Sequence, residues 1–165
     1  MMKKYLWLLW WLAMSFSLPS WAHPTADLNL VGQGSMRWLF WDLYQARFYS
    51  ADGQYKADGF PQALALRYQR DIGKEDLLEA TVTEWQRLGI DWRPQWRREL
   101  SAIWPSVKKR DELVLRVDSA GVSRFYFNWE LLGEITDPDF GPAFLAIWLS
   151  PDSRDPRLTR QLKGN

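Results

Sequence analysis

Apolar positions along this chain recur at two spacings, every second residue or about every 3.6 residues, and the changes of spacing divide it into elements. In MRWLFWDLYQARFY, Met36 to Tyr49, one parity holds Met36, Trp38, Phe40, Tyr44 and Phe48, and the other holds Leu39, Trp41, Leu43 and Tyr49. Apolar side chains on both parities predict strand structure buried on two faces. Fourteen residues is long for one strand, so a bulge or bend is expected near Asp42. Asp52-Gly53 then marks a turn. From Ala63 to Arg70 the alternation of Leu64, Leu66 and Tyr68 against Ala63, Ala65 and Arg67 predicts a second strand.

Helical spacing follows at once. Leu77, Leu78, Thr81, Val82, Trp85 and Leu88 share one side of a helix, and Gly89 stands where a C-terminal cap belongs. Pro94 to Trp104 predicts a shorter helix with Trp96, Leu100 and Ile103 inward, stopped by Pro105. Glu112 to Asp118 and Val122 to Trp129 flank Ser119-Ala120-Gly121 and read as a hairpin. Asp137 to Leu149 predicts a helix whose Phe140, Phe144, Ile147 and Trp148 face the core. Asp155-Pro156 opens a last short one, with Asp155 as its N-cap. Strands and helices mix without a strict alternating rhythm, which favours the α+β class.

The first residues follow another logic. Lys3 and Lys4, the apolar run Tyr5 to Leu18 and the small-x-small triplet Ser20-Trp21-Ala22 make the pattern of a secretory signal peptide, residues 1–22. The run falls short of the roughly 18–20 apolar residues of a membrane span. The reading is a periplasmic or secreted protein, residues 23–165, with no stable membrane anchor after cleavage. Losing Lys3 and Lys4 leaves 19 basic against 20 acidic residues, a net charge of −1. That balance argues against nucleic acid as a partner.

The chain has no cysteine and one histidine, His23. Thiol nucleophiles, thiolate metal sites and a Ser-His-Asp triad in the folded body are thereby excluded, and no cofactor is expected. An N-terminal histidine can hold copper, but the second imidazole such a site wants is lacking. A frayed terminus is the expectation for His23.

Asp42 is the conspicuous charge of the first strand region, and burying it unpaired would cost several kcal/mol. Three readings stay open: a bend that lets it reach water, an ion pair with Arg67 or Arg70, or a catalytic role. Arg97, Arg98, Lys108, Lys109 and Arg110 form a loose basic group that reads as a solvated face, or as a surface for docking an anionic partner. Glu134, Asp137 and Asp139 read as acids at a helix start. The tryptophans and tyrosines mostly fall at core periods, so packing is their expected use over sugar stacking.

Three blocks, GQGSMRWLFWDLYQARFYSADG, FPQALALRYQRDIGKEDLLEATVTEWQRLG and RFYFNWELLGEITDPDFGPAFLAIWLSP, in this order, resemble the bacterial chalcone isomerase-like proteins. The resemblance runs from about Leu30 to Leu162. It implies an open-faced β-sandwich: an antiparallel sheet with helices layered on one side and a ligand cleft between them. Plant chalcone isomerases close a flavanone ring with an arginine, a threonine, a tyrosine and an asparagine. Matched through Ile72-Gly73-Lys74, the tyrosine position falls near Asp76, the asparagine position near Thr83 and the arginine position near Val31. None of these keeps the catalytic residue type.

A non-catalytic branch of that fold binds fatty acids, holding the carboxylate with an arginine and a tyrosine. The resemblance places Arg67 near that arginine, with Tyr68 and Tyr44 available as the tyrosine. Its other reading is a strand arginine paired with Asp42 or exposed. The expectation is therefore a binder of a small apolar or amphipathic ligand such as a fatty acid, with Arg67, Tyr68, Tyr44 and Asp42 as site residues and no metal. An isomerase or lyase acting on a chalcone-like or enone substrate, with Tyr68 or Tyr44 as acid and Arg67 steadying an oxyanion, is the alternative. A periplasmic partner-docking protein, with Arg97 to Arg110 as its surface, is the second.

Overall fold

A computed structural model describes residues 22–165. The signal-peptide reading therefore lies, except for Ala22, outside the described residues. Six strands form one sheet: β1 (Asn29–Trp38), β2 (Trp41–Ser50), β3 (Gln62–Tyr68), β4 (Glu112–Val117), β5 (Ser123–Phe127) and β6 (Glu130–Ile135). Each pairs antiparallel with the next, in the order β1-β2-β3-β4-β5-β6. The helices are α1 (Lys74–Arg87), α2 (Pro94–Ile103), α3 (Phe140–Leu149) and α4 (Pro156–Leu162). The α+β, open-faced arrangement expected from the sequence is the one found.

Period-two alternation sorts the sheet into two unlike faces. Phe48, Leu64, Leu66, Tyr68, Leu113, Leu115 and Phe125 share one buried cluster with Leu78, Trp85, Trp96, Leu100 and Phe144 of the helices. Burying each large side chain contributes about 1.5–3 kcal/mol. Aromatic edges meet faces inside it: Trp85 lies 5.5 Å from Trp96, and Trp104 lies 5.5 Å from Phe125, both at steep angles. The other parity makes a smaller cluster of Ala63, Ala65 and Val114 under Leu28.

The segment before β1 straps across that second face. Arg116 donates to both carboxylate oxygens of Asp27, at 2.5 and 2.7 Å. His23 Nε2 lies 3.2 Å from Glu112, which also accepts from Arg47 at 2.7 Å. His23 is thus tied down and edge-on to Trp129, at 5.3 Å, where a frayed terminus was expected.

Helix α4 can lie on β1 because the strand has no side chains in the way. A Cβ on Gly32 would stand 1.9 Å from the Gln161 carbonyl oxygen, and one on Gly34 would stand 2.8 Å from Leu158 Cδ1. As the sequence indicates, Asp155 caps α4 by accepting from the Leu158 N–H at 3.0 Å.

Three expectations are corrected. The run Met36 to Tyr49 is a hairpin, not one bent strand: β1 and β2 pair through Arg37 opposite Asp42, and Leu39 turns the chain at φ 55°. Strand β6 was not expected, and occupies what reads in sequence as the approach to a helix. Two acids of that approach, Glu134 and Asp139, make ion pairs and no side-chain cap, while Asp137 also accepts the Asp139 N–H at 3.1 Å just before α3. Glu134 accepts from Arg124, and both Asp137 and Asp139 accept from Arg93. Asp139 precedes α3 without capping it by its side chain.

Candidate functional site

Between the helix-facing side of the sheet and helices α1 and α3 lies a cleft of about 500 Å³. Its walls are mainly apolar, with Leu66 and Leu113 from the sheet, Leu77 from α1, Phe144 and Trp148 from α3, and Trp104 beyond α2. Helix α1 buries Leu78, Thr81 and Trp85 in the core and turns Asp76, Ala80 and Thr83 along the lip. The indoles form walls and leave the space open. Its size is ordinary for a small-molecule site.

Two hydroxyls stand on the sheet side. Tyr44 and Tyr68 are register partners on β2 and β3, their rings edge-to-face at 5.9 Å. Trp148 donates its indole N–H to the Tyr44 oxygen at 2.9 Å. The Tyr68 hydroxyl makes no hydrogen bond to any described residue. Burial pushes both phenols well above their ordinary range, against the pull of the Trp148 hydrogen bond at Tyr44. Both are therefore protonated at neutral pH and able to donate.

The charges of the cleft gather at its rim. Arg154 is the guanidinium among the lining residues, and its Nε donates to Glu84 at 2.7 Å. The other Glu84 oxygen accepts from Arg87, at 2.8 Å and 3.0 Å. Burial works to raise the Glu84 carboxyl, but the hydrogen bonds from Arg87 and Arg154 outweigh it and hold it below the usual carboxylate range. Asp76 and Glu79 also line the cleft, in no ion pair with a described residue. Among the described residues no group of three His, Asp or Glu is placed to hold a metal ion.

Of the four site residues expected from the sequence, the cleft brings together two, Tyr44 and Tyr68. Arg67 is exposed on the opposite face, beside a second depression that Gln33, Gln45 and Arg47 also border. The reason is the strand period: with Leu66 and Tyr68 facing the helices, the residue between them cannot. Asp42 is also outside the cleft. It lies at the hairpin end, paired with Arg37 Nε at 2.8 Å, both half exposed or more. It reaches water, and its partner is neither Arg67 nor Arg70. Arg70 instead sits over the Trp41 ring, 5.9 Å from its centre.

Sequence reasoning missed Glu84, Arg154 and Trp148 as cleft residues. The helical period does place Glu84 one turn beyond Ala80 on the lip, but nothing local announces that Arg154, after α3, meets it. Of the positions matched to ring-closing residues, Asp76 and Thr83 do line the cleft, and Val31 packs against the core from β1.

An open-faced sheet and a helical cover thus enclose a mainly apolar cleft. The chain belongs to the chalcone isomerase-like family, whose model matches residues 19–164. It is 27% identical over 146 residues to an uncharacterized protein of Haemophilus influenzae, spanning 87% of this chain and 71% of that one. Its fold is similar to that of a fatty-acid binding protein of Arabidopsis thaliana, with a TM-score of 0.63 at 12% identity, over 84% of this chain and 88% of that one.

Proposed function

We propose that this protein is an exported, non-catalytic carrier of a small apolar or amphipathic molecule held between the sheet and helices α1 and α3. The open cleft of about 500 Å³, with its largely apolar lining, is the observation that carries the reading. The Arabidopsis neighbour, a fatty-acid binding protein by name, supports a ligand with an acyl-like chain. Export rests on the Lys3 to Ala22 pattern.

The rim and the tyrosines favour an uncharged polar head. Arg154 is engaged by Glu84, and Asp76 and Glu79 add uncommitted negative charge near the entrance. A carboxylate there would meet repulsion, with no free cation among the described lining residues to answer it. A hydroxyl would find the Tyr68 phenol, which has no partner among the described residues. Ring closure has less support, because Asp76 and Thr83 stand where the resemblance puts the tyrosine and asparagine, and Arg67 is across the sheet from both tyrosines.

Binding of dodecanol and dodecanoate to delipidated protein, followed by calorimetry, tests this. Uptake of both with the alcohol tighter supports the reading, and uptake of neither overturns it. Loss of absorbance at the chalcone band on adding the protein would move the reading to the isomerase class.

A further inference from the structure

The described part of the chain exposes few large apolar side chains, and all but Leu30, near the start of β1, collect at the other end of the sheet. Leu39, Phe40 and Trp41 at the β1–β2 turn are 78%, 97% and 64% exposed. Trp129 and Leu131 at the β5–β6 turn are 53% and 58% exposed. Antiparallel pairing puts both turns at the end where β3 finishes and β4 begins, one on each flank. Exposed aromatics at this density have a cost in water that a monomer has no folding reason to bear.

Between the two flanks the chain places cations. Arg67 stands near the end of β3 and Arg70 just past it, and Lys108, Lys109 and Arg110 lead into β4, where the Arg110 N–H bonds the Tyr68 carbonyl at 2.9 Å. All five are exposed and in no ion pair with a described residue. The acids nearby are fewer or engaged. Asp42 is held by Arg37, Asp71 accepts from the Lys109 N–H, and Asp111 accepts from the Lys108 N–H and Asn128. Glu112, opposite Arg67 in the register, is held by Arg47, so the five cations stand against three carboxylates in no ion pair with a described residue, Asp71, Asp111 and Glu130. The folded residues as a whole carry almost no net charge, so a basic, aromatic end is a local asymmetry.

Aromatic and leucine side chains that can enter the acyl boundary, set beside arginines and lysines that can meet phosphates, are what an anionic bilayer surface selects. The cleft opens close by: Met36, Leu43, Tyr44, Tyr68 and Ile72, among its lining residues, come from the same end of the sheet. We infer that this end docks on anionic phospholipid membranes, with the Leu39–Trp41 turn inserted and the β3–β4 cations on the head groups. The geometry sets the cleft where an amphiphile can pass between bilayer and protein, a step that rests on the proposed carrier function. Docking itself does not depend on it.

Vesicle co-sedimentation tests the docking. The folded body from Ala22, which contains every described strand and helix, is mixed with vesicles of equal parts phosphatidylglycerol and phosphatidylcholine, or of phosphatidylcholine alone. The expected result is partitioning into the anionic vesicles, weaker at high salt and weaker on phosphatidylcholine. The pair Leu39→Ser and Phe40→Ser, and separately Lys108→Glu with Lys109→Glu, each lower it about tenfold or more. Exposed positions at a turn should leave the melting temperature unchanged, and melting curves check that each variant is folded. No partitioning, or partitioning that both folded variants retain, overturns the inference. So does a lipid-free dimer that dissociates in the Leu39→Ser, Phe40→Ser protein, since the turn would then serve a second copy. A protein that docks but takes up no dodecanol refutes the carrier reading and leaves docking standing.

Discussion

Trp148 on α3 donates its indole N–H to the hydroxyl of Tyr44 on β2 at 2.9 Å, joining the helical cover to the sheet across the cleft. Tyr44→Phe leaves that donor without its partner. It is expected to lower stability by about 1–3 kcal/mol. Tyr68→Phe removes a hydroxyl that has no partner among the described residues, and is expected to be near neutral by the same reasoning. Urea unfolding of the two variants reads the difference. In the carrier reading Tyr68→Phe also weakens dodecanol more than it weakens dodecane.

Gly32 lets α4 touch β1. Gly32→Ala would drive a methyl into the Gln161 carbonyl, 1.9 Å from its ideal position, where backbone must move. The expected loss is about 1–3 kcal/mol, the range for overpacking a close contact. Thermal unfolding measures it, and an unchanged midpoint would mean that α4 does not lie on β1 in this way.

Glu84 gives the protein a pH-dependent contribution with a definite sign. Its folded carboxyl is held below the ordinary range, because the hydrogen bonds from Arg87 and Arg154 outweigh burial. Stability from it is full above the unfolded carboxylate pKa and is lost as pH falls through the lower folded one. Asp137, where burial is outweighed by hydrogen bonds from Arg93 and Trp96, acts in the same direction. Glu84→Gln is expected to flatten the decline of stability below the ordinary carboxylate range. Unfolding midpoints across acidic pH for wild type and variant check it.

Arg37 and Asp42 are both largely in water, so breaking the pair by Asp42→Asn is expected to cost less than about 1 kcal/mol. A larger loss by urea unfolding would place Asp42 in something more than a surface ion pair.

Much of this fold is legible where a residue pattern is local. The alternation of Leu64, Leu66 and Tyr68 gives β3, the spacing from Leu77 to Leu88 gives α1, and Asp155-Pro156 gives the start of α4. The β1–β2 turn was hidden because Leu39 and Phe40 are not turn-forming types and the chain stays aromatic through them. Strand β6 was hidden because Glu130 to Ile135 is short, half exposed and interrupted by Gly133. Of the residues named from the sequence, Tyr44 and Tyr68 line the candidate cleft, and Arg67 and Asp42 do not. The alternation that directs Tyr68 into the cleft also directs Arg67 away from it, so the two could never share one ligand face. Glu84 and Arg154 meet from α1 and the segment after α3, 70 residues apart, and no spacing reveals such a contact.

The central claim is that the cleft beside Tyr44 and Tyr68 takes up a ligand, and that Arg67 has no part in it. Ala80 lines the mouth from an exposed position on α1, so Ala80→Trp can fill the entrance without disturbing the core. The decisive measurement is calorimetric titration of dodecanol into wild type, Ala80→Trp and Arg67→Ala. The account expects wild type and Arg67→Ala to bind alike and Ala80→Trp, still folded, to lose at least about tenfold in affinity. Binding that survives Ala80→Trp and disappears in Arg67→Ala would contradict it.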